Sequence, residues 1–310
     1  MSIESVIKAA HAYLDPLDVD AVVFHHPCMD GSGAALAAWL ARGDLIEYIP
    51  MEHQITFAEP AAEEQLRDKN IILVDTSFKK EQLQRIRHLA RKVLILDHHE
   101  SAMKSLAGEA GCIFDMNYSG AVLSWYYFNG LENPAPQFFE LIQDRDLWRW
   151  QYKDLSEPVY YALIARYPQP DFRAFAKYLE PKALEDLIAY GNKLIPENEK
   201  WCQEQAQHAK LCIFTPPNST HKYRVICVEV HGEKLVSELS AHLYKLHKVD
   251  FILLWYVNRF GEYKISFRNE DPTVNLADLA TSLGGGGHPR AAGVVLDYSP
   301  WELLQPLDKN

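Results

Sequence analysis

The sequence predicts an α/β protein, with a mostly parallel sheet flanked by helices in a first domain and a smaller C-terminal α/β domain. Three observations lead there. Short continuous apolar runs in the N-terminal half, from Asp20 to His26, Ile71 to Val74 and Val93 to Leu96, alternate with helical stretches. Strands buried on both faces read this way, because helices cover both sides of a parallel sheet. The pattern then changes to closely spaced strands after about residue 210. Finally, 310 residues make about two domains at 100–200 residues each. The expected boundaries are residues 1–190, a helical linker over 191–210, and 211–310.

Taken in order, Asp20 to His26 (DAVVFHH) is a β-branched run ending in polar residues. Gly31 to Ala41 is rich in small residues and helical. Ile71 to Val74 is a buried strand followed by Asp75. Lys79 to Ala90 places Leu83, Ile86, Leu89 and Ala90 on one helical face. Val93 to Leu96 is a second buried strand, followed by Asp97. From Ser119 to about Tyr190 the chain is helical and aromatic-rich. Glu180 to Lys210 reads as one or two polar helices, broken near Pro196. Lys222 to Val230, Asp250 to Val257 and Glu262 to Arg268 are strands, and Lys234 to Lys245 is a helix. Asn258 to Gly261 (NRFG) is a hairpin turn signal.

Composition narrows the functional classes. With 31 Lys and Arg against 42 Asp and Glu, the formal net charge is −11. Affinity for a long phosphate backbone comes mainly from clustered cationic side chains, so coating of duplex nucleic acid is not expected. A small phosphate ligand needs only a metal or one basic pocket. The longest apolar runs, Ala34 to Ala41 and Phe251 to Val257, are far shorter than the ~20 residues of a membrane span. The opening MSIESVIKAAHAYLDPLD lacks the apolar stretch of a secretory signal. Five scattered cysteines with no C-x-x-C spacing point to a reducing, cytoplasmic setting.

Chemistry-bearing residues gather at strand ends. They are His25, His26 and Asp30 in FHHPCMDGSG, Asp75 in LVDTS, and Asp97, His98 and His99 in LILDHHES; Asp144 and Asp146 follow in IQDRDLWRW. Carboxylates ending neighbouring parallel strands converge on one crevice, where their mutual repulsion raises their pKa values unless a cation is present. Oxygen-rich ligands with some imidazole suit Mn2+ or Mg2+, and Fe or Zn less well. A second constellation is SLGGGGHPRAAG, Ser282 to Gly293. Consecutive glycines let backbone amides approach a phosphate, and His288 and Arg290 add donors. The order of helix, glycine loop and strand matches neither a Walker loop nor a dinucleotide fingerprint. Trp148 and Trp150 read as packing a helical cap on the sheet, with stacking of bases beside an active cleft as the alternative.

In this order, CMDGSGAA, LVDTS, LILDHHES, DRDLW and GGGGHPRAAG resemble the DHH phosphoesterase superfamily with its DHH-associated C-terminal domain, from about Ala21 to Val295. PCMDGSGAALAAW is most similar to the nano-RNase, or oligoribonuclease, branch. The resemblance implies a hydrolase of phosphodiesters or phosphoanhydrides that usually uses Mn2+. It implies that Asp75 bridges two metals and that His98 ligates the second, with Asp30 and either Asp144 or Asp146. Asp97 is implied to orient His98, and His99 to sit near the scissile phosphate. Gly285, Gly286, Gly287 and His288 match the substrate loop, and Arg268 lies where a phosphate-binding Arg is common. The chain departs from the usual His-x-x-x-Asp-x-Asp motif. Aligning its last Asp with Asp30 puts Cys28 at the first Asp and Phe24 at the His. His26 or a Cys28 thiolate is left to substitute, and a thiolate tilts the first site toward Zn or Fe.

The expected function is therefore a cytoplasmic, metal-dependent phosphodiesterase that hydrolyses short oligoribonucleotides by metal-activated water. The alternatives are a cyclic mono- or dinucleotide phosphodiesterase, an exopolyphosphatase, and a nucleotide-binding sensor with a degenerate site. Expected partners are short oligonucleotides or other small phosphates, with no long duplex and no membrane. The sequence leaves the oligomeric state open.

Overall fold

The computed structural model describes residues 2–52, 60–217, 219–232, 235–270 and 273–307. The chain divides into two compact units, Met1–Ile195 and Pro196–Asn310.

The first unit begins with α1 (Ile3–Tyr13), β1 (Ala21–His25), α2 (Met29–Arg42) and β2 (Glu47–Met51). The one-turn α3 (Pro60–Glu63) precedes β3 (Asn70–Val74), α4 (Lys80–Leu89), β4 (Lys92–Asp97), α5 (Glu100–Ser105) and β5 (Cys112–Phe114). Then come α6 (Gly120–Asn129), α7 (Gln137–Asp146), α8 (Lys153–Arg166) and α9 (Phe172–Phe175). The five strands form one sheet in the order β2-β1-β3-β4-β5, and every pair is parallel.

Alternate residues of these strands serve two cores, as a period of two requires. Val22, Phe24, Ile72, Val74, Leu94 and Leu96 pack with α1, α2, α6 and α7 on one face. Ala21, Val23, Ile71, Leu73, Val93 and Ile95 pack with Leu83 and Ile86 of α4 on the other. Burial on both faces explains the unbroken apolar runs. β1 connects onward to β2 on one side and lies against β3 on the other, so the strand order reverses between β1 and β3. Open parallel sheets hold ligands at such a point, beyond the carboxyl ends of their strands. The register pairs Phe24 with Val74 and Val74 with Leu96. One residue further on, His25, Asp75 and Asp97 stand side by side along that edge.

Two strands of this sheet were not expected. β2 carries Pro50, which an edge strand tolerates, and β5 has only three residues, too short for a period to register. The expected break at Pro196 is also absent. α10 (Pro181–Ala206) continues through this proline, and the division between the units falls there instead.

The second unit contains β6 (Lys210–Phe214), β7 (Tyr223–Glu229), α11 (Val236–Leu246), β8 (Phe251–Val257) and β9 (Tyr263–Arg268). These are followed by α12 (Leu276–Ser282), β10 (Gly286–His288), β11 (Ala291–Leu296) and β12 (Leu304–Pro306). Its sheet runs β10-β11-β9-β8-β7-β6-β12; β7 and β8 pair parallel and the other pairs are antiparallel. The three strands expected here form within a residue of their expected ends. The helix expected from Lys234 forms from Val236, and Lys234 itself lies outside the described residues. The turn at Asn258 also forms, with Asn258 Oδ1 accepting from the amides of Phe260 at 2.9 Å and Glu262 at 3.0 Å.

Candidate active site

Four of the anticipated residues meet at the carboxyl edge of the parallel sheet. His98 Nε2 lies 3.0 Å from Asp75 Oδ1, and 3.6 Å from both Asp30 Oδ2 and Asp146 Oδ2. Asp30, Asp75 and His98 are each about 1 % exposed, whereas the Asp146 side chain keeps 29 %. The cluster therefore has one partly open side.

Local structure holds each carboxylate. Asp75 follows β3 with a left-handed φ of +57°, a region that Asp tolerates better than bulkier residues. Its Oδ2 is 3.3 Å from His25 Nδ1. Asp30, in the first turn of α2, accepts from the amides of Gly120 at 2.6 Å and Ala121 at 3.1 Å. These amides open α6, where unpaired N–H groups favour an anion. Gly120 is required there, because a Cβ would lie 2.5 Å from Asp75 Cβ and 2.9 Å from Asp30 Oδ2. Asp146 is the last residue of α7.

A second arrangement centres on Asp97. Its Oδ1 is 2.7 Å from His99 Nδ1 and accepts from the His98 amide at 2.7 Å, while Oδ2 accepts from Ser77 Oγ at 2.7 Å. Asp97 thus orients the ring of His99. Its hydrogen bond to His98 is to the backbone amide, whereas the expectation was that it orients the His98 ring.

The electrostatics follow from burial and crowding. Burial raises Asp30 well above the usual carboxylate range, and the charges of Asp146 and Asp75 push it the same way. Asp146 is raised by loss of solvent and by Asp75, with His98 and His99 opposing. Burial also works against the charged form of Asp75, yet hydrogen bonds from His25 and His98 hold it well below its ordinary value. Burial lowers His98, but its bond to Asp75 and the charges of Asp146 and Asp30 take it from 6.5 to about 10. The same contest raises His99 and lowers Asp97. Three carboxylates crowded around one imidazole are a donor set that a divalent cation fits, since its charge would offset the burial and mutual repulsion that raise Asp30 and Asp146.

The structure does not bring every anticipated ligand here. Asp144 is spent elsewhere: it accepts from the Gln151 amide at 2.7 Å, the Tyr152 amide at 3.1 Å and Ser156 Oγ at 2.6 Å. It fastens the loop after α7, and Asp146 alone of the pair enters the cluster. His26 Nε2 lies 3.3 Å from Gln169 Oε1, outside the cluster. His25 takes the place beside Asp75 and forms a close group with Asp75 and Cys28. Phe24 is core, edge-on to Phe172 at 5.6 Å. Burial raises the Cys28 thiol well above its ordinary pKa, with Asp75, Asp146 and Asp30 adding to the shift. Trp148 and Trp150 pack against each other, 4.7 Å apart, with the Arg145 guanidinium 4.4 Å from the Trp148 ring. The Trp150 ring also lies 5.6 Å from the Arg145 guanidinium and 5.5 Å from Lys153 Nζ.

Sequence reasoning missed the role of His25 and the amides of Gly120 and Ala121. The Ser119-Gly120 pair is a helix-start signal, but nothing in it names the carboxylate it receives.

In the second unit, Gly286 to His288 form β10 against β11, with His288 opposite Ala291 and Ala291 opposite Arg268. Directly opposed residues share a face, so Arg268, Ala291 and His288 form one row across three strands. Gly285 and Gly287 are dictated by close approach: a Cβ would strike Gly293 O at the first and come within 2.6 Å of Ala291 O at the second. Arg268 Nε donates to Ser237 Oγ at 3.2 Å, which fixes its guanidinium beside the start of α11.

Comparison with known proteins agrees with this architecture. No protein-family model matches the chain. The relatives found are consistent with the resemblance to the DHH phosphoesterase superfamily, at low identity. The chain is similar to oligoribonuclease NrnB of Bacillus subtilis, at 25 % identity over 312 residues, covering 91 % of this chain and 74 % of that protein. It is also 29 % identical over 291 residues to an uncharacterized protein of Acanthamoeba polyphaga mimivirus, covering 89 % and 67 % of the two chains. Among solved structures, an exopolyphosphatase-related protein from Bacteroides fragilis shares the fold, with a TM-score of 0.53, 13 % identity, and coverage of 97 % and 93 %. No helix among the described residues is long and apolar enough to cross a membrane.

Proposed function

We propose that this chain is a cation-dependent phosphodiesterase acting on short oligoribonucleotides. The observation that carries the reading is the meeting of Asp30, Asp75, Asp146 and His98 at the strand-order reversal of a parallel sheet, with Asp146 on its open side. These four residues would hold a divalent cation, with Mn2+ the ion their oxygen-rich set suits best. When bound, the cation supplies a lowered pKa for attacking water and neutralises charge on the phosphoryl oxygens.

The chain's own residues supply the rest. Asp75, pinned by two imidazoles, stays ionised and keeps its position. Asp97 fixes the orientation of His99, and their pairing favours a protonated His99. A protonated imidazole beside the cluster donates to the leaving oxygen, a contribution of about 10²–10⁴ in rate. In the second unit, the glycine-lined hairpin with Arg268, Gly285, Gly286, Gly287 and His288 would receive a flanking or terminal phosphate. The net charge of −11 suits a short substrate held by a local pocket better than a long polymer. The oligoribonuclease named among the relatives supports the same substrate class.

The test is a substrate panel with Mn2+: a diribonucleotide, a cyclic dinucleotide and inorganic polyphosphate. Fastest release of mononucleotides from the diribonucleotide is expected. Preference for polyphosphate would overturn the substrate assignment, and no hydrolysis of any member would overturn the activity.

A further inference from the structure

A further polar group in the first unit belongs to neither the carboxylate cluster nor the glycine-lined hairpin. It is built from the end of α8, where the chain leaves as Arg166-Tyr167-Pro168-Gln169-Pro170, and from the 3-10 turn Ala176–Leu179. The two prolines fix φ on either side of Gln169 and leave the loop few alternatives. Arg166 Nη1 donates to Tyr178 Oη at 3.3 Å, and Tyr178 Oη lies 3.2 Å from Tyr167 Oη. Lys177 Nζ stands 5.6 Å from the Tyr167 ring and 5.0 Å from the Tyr178 ring. Two cations and two phenol hydroxyls therefore converge.

We propose that Arg166, Tyr167, Lys177 and Tyr178 form a site for a phosphate monoester, the terminal phosphate of a nucleotide or a short oligonucleotide. That the anion belongs to a nucleotide rests on the substrate reading above; that the site takes an anion does not.

Charge is the first support. Among the described residues, neither Arg166 nor Lys177 pairs with a carboxylate, in a chain where acidic residues outnumber basic ones by 42 to 31. The nearby Arg173, by contrast, pairs with Asp44 at 2.8 Å. The local field agrees. Burial works against the Tyr167 phenolate, yet hydrogen bonding with Lys177 and Tyr178 and the charges of Lys177 and Arg166 hold it below its ordinary value. A field that favours negative charge on a phenol oxygen favours it equally on a phosphate oxygen beside it. Burial raises Tyr178, which keeps its proton for donation.

The group is also held in place before any ligand arrives. Tyr178 is about 1 % exposed, with its ring 5.6 Å from Phe138, and the Tyr167 ring lies 5.3 Å from Phe175. The Arg166 guanidinium lies 4.5 Å from the Tyr190 ring. Fixed donors lose little freedom on binding, and hydrogen bonds from Arg and Lys to phosphate are among the strong ones. A cation in the last turn of α8 would account for Arg166 alone, but not for Lys177 or the paired hydroxyls. The same loop touches the active edge, where Gln169 Oε1 lies 3.3 Å from His26 Nε2, one residue beyond His25.

Calorimetric titration of the full-length protein tests the site. Chelator is present throughout, so that phosphate held by a cation does not enter the reading. The probes are orthophosphate, adenosine 5′-monophosphate, adenosine, and a diribonucleotide with and without a 5′-phosphate. Orthophosphate and the monophosphate are expected to bind and adenosine is not. Lys177→Met and Arg166→Gln, both at exposed positions, should each weaken the monophosphate about tenfold, the loss of one charged hydrogen bond. Lys177→Arg should restore most of the affinity, and the Lys177→Met loss should persist in a His288→Ala background. Tighter binding of the 5′-phosphorylated diribonucleotide assigns the site to substrate; equal binding of both diribonucleotides assigns it to the free mononucleotide. No binding of the monophosphate by wild type, or affinity unchanged in both Lys177→Met and Arg166→Gln, would overturn the site. Hydrolysis with Mn2+ is read separately: turnover with unchanged affinity in both variants removes this proposal and leaves the activity, and weakened affinity in a protein without turnover does the reverse.

Discussion

The edge of the parallel sheet and the β10–β11 hairpin solve the problem of holding charge in opposite ways. At the sheet edge, ionisable side chains are buried and crowded, and each is fixed by a specific partner: Asp75 by His25 and His98, Asp30 by the start of α6, and His99 by Asp97. In the hairpin the side chains are nearly absent, and close backbone packing forbids a Cβ at Gly285 and Gly287. The first region crowds buried carboxylates whose repulsion a cation would relieve. The second offers a shaped surface with Arg268 and His288 at its ends. Changes in the first should therefore alter cation binding and chemistry together, and changes in the second should alter substrate affinity alone.

The largest expected effect is at Asp75. Asp75→Ala removes the carboxylate that His25 and His98 both hold, and turnover should fall at least tenfold, a barrier increase of about 1.4 kcal/mol or more. Steady-state rates on a diribonucleotide check this; a rate above a tenth of wild type would detach Asp75 from the chemistry. Next come the two carboxylates of α7. Asp146→Ala should weaken Mn2+ binding with little change in melting temperature. Asp144→Ala strands three donors and should lower stability by about 1–3 kcal/mol, read by denaturant unfolding. If Asp144→Ala weakened Mn2+ binding more than Asp146→Ala, the division between them would be wrong.

A smaller effect separates the second region. His288→Ala should raise KM several-fold while metal content, measured by elemental analysis, stays at the wild-type value. Loss of metal in that variant would blur the distinction between side-chain and backbone regions. The smallest effect is on pH dependence. His98 is raised from 6.5 to about 10, so its charged form stabilises the cation-free fold fully below pH 6.5, and that stability is lost as pH rises through about 10. In chelator, the melting temperature of wild type should decline over this window more steeply than that of His98→Asn. Parallel profiles would show that His98 carries no such proton.

Much of the site was legible because a doubly buried strand announces itself as an apolar run, and the polar residue ending it must lie at the sheet edge. Asp75, Asp97, His98 and His99 were located in that way. What was not legible depends on register and on helix phase. His25 and His26 are equivalent in composition, and only the pairing of Phe24 with Val74 sets His25 beside Asp75. Asp144 and Asp146 sit two residues apart, about 200° around a helix, so they cannot share a face, and the sequence does not say which faces the sheet. Gly120 was invisible because its importance is a distance to residues far away in the chain. β2 and β5 escaped because an edge proline and a three-residue length leave no periodic signal.

The account rests most heavily on the Asp30, Asp75, Asp146 and His98 cluster being a working cation site. Its most direct test is diribonucleotide hydrolysis by wild-type protein before chelation, after chelation, and after Mn2+ is restored. The account predicts activity that disappears with the cation and returns with it, and no return in Asp75→Asn treated in the same way. Hydrolysis that continues unchanged in the fully chelated protein, or that Mn2+ restores equally in Asp75→Asn, would contradict it.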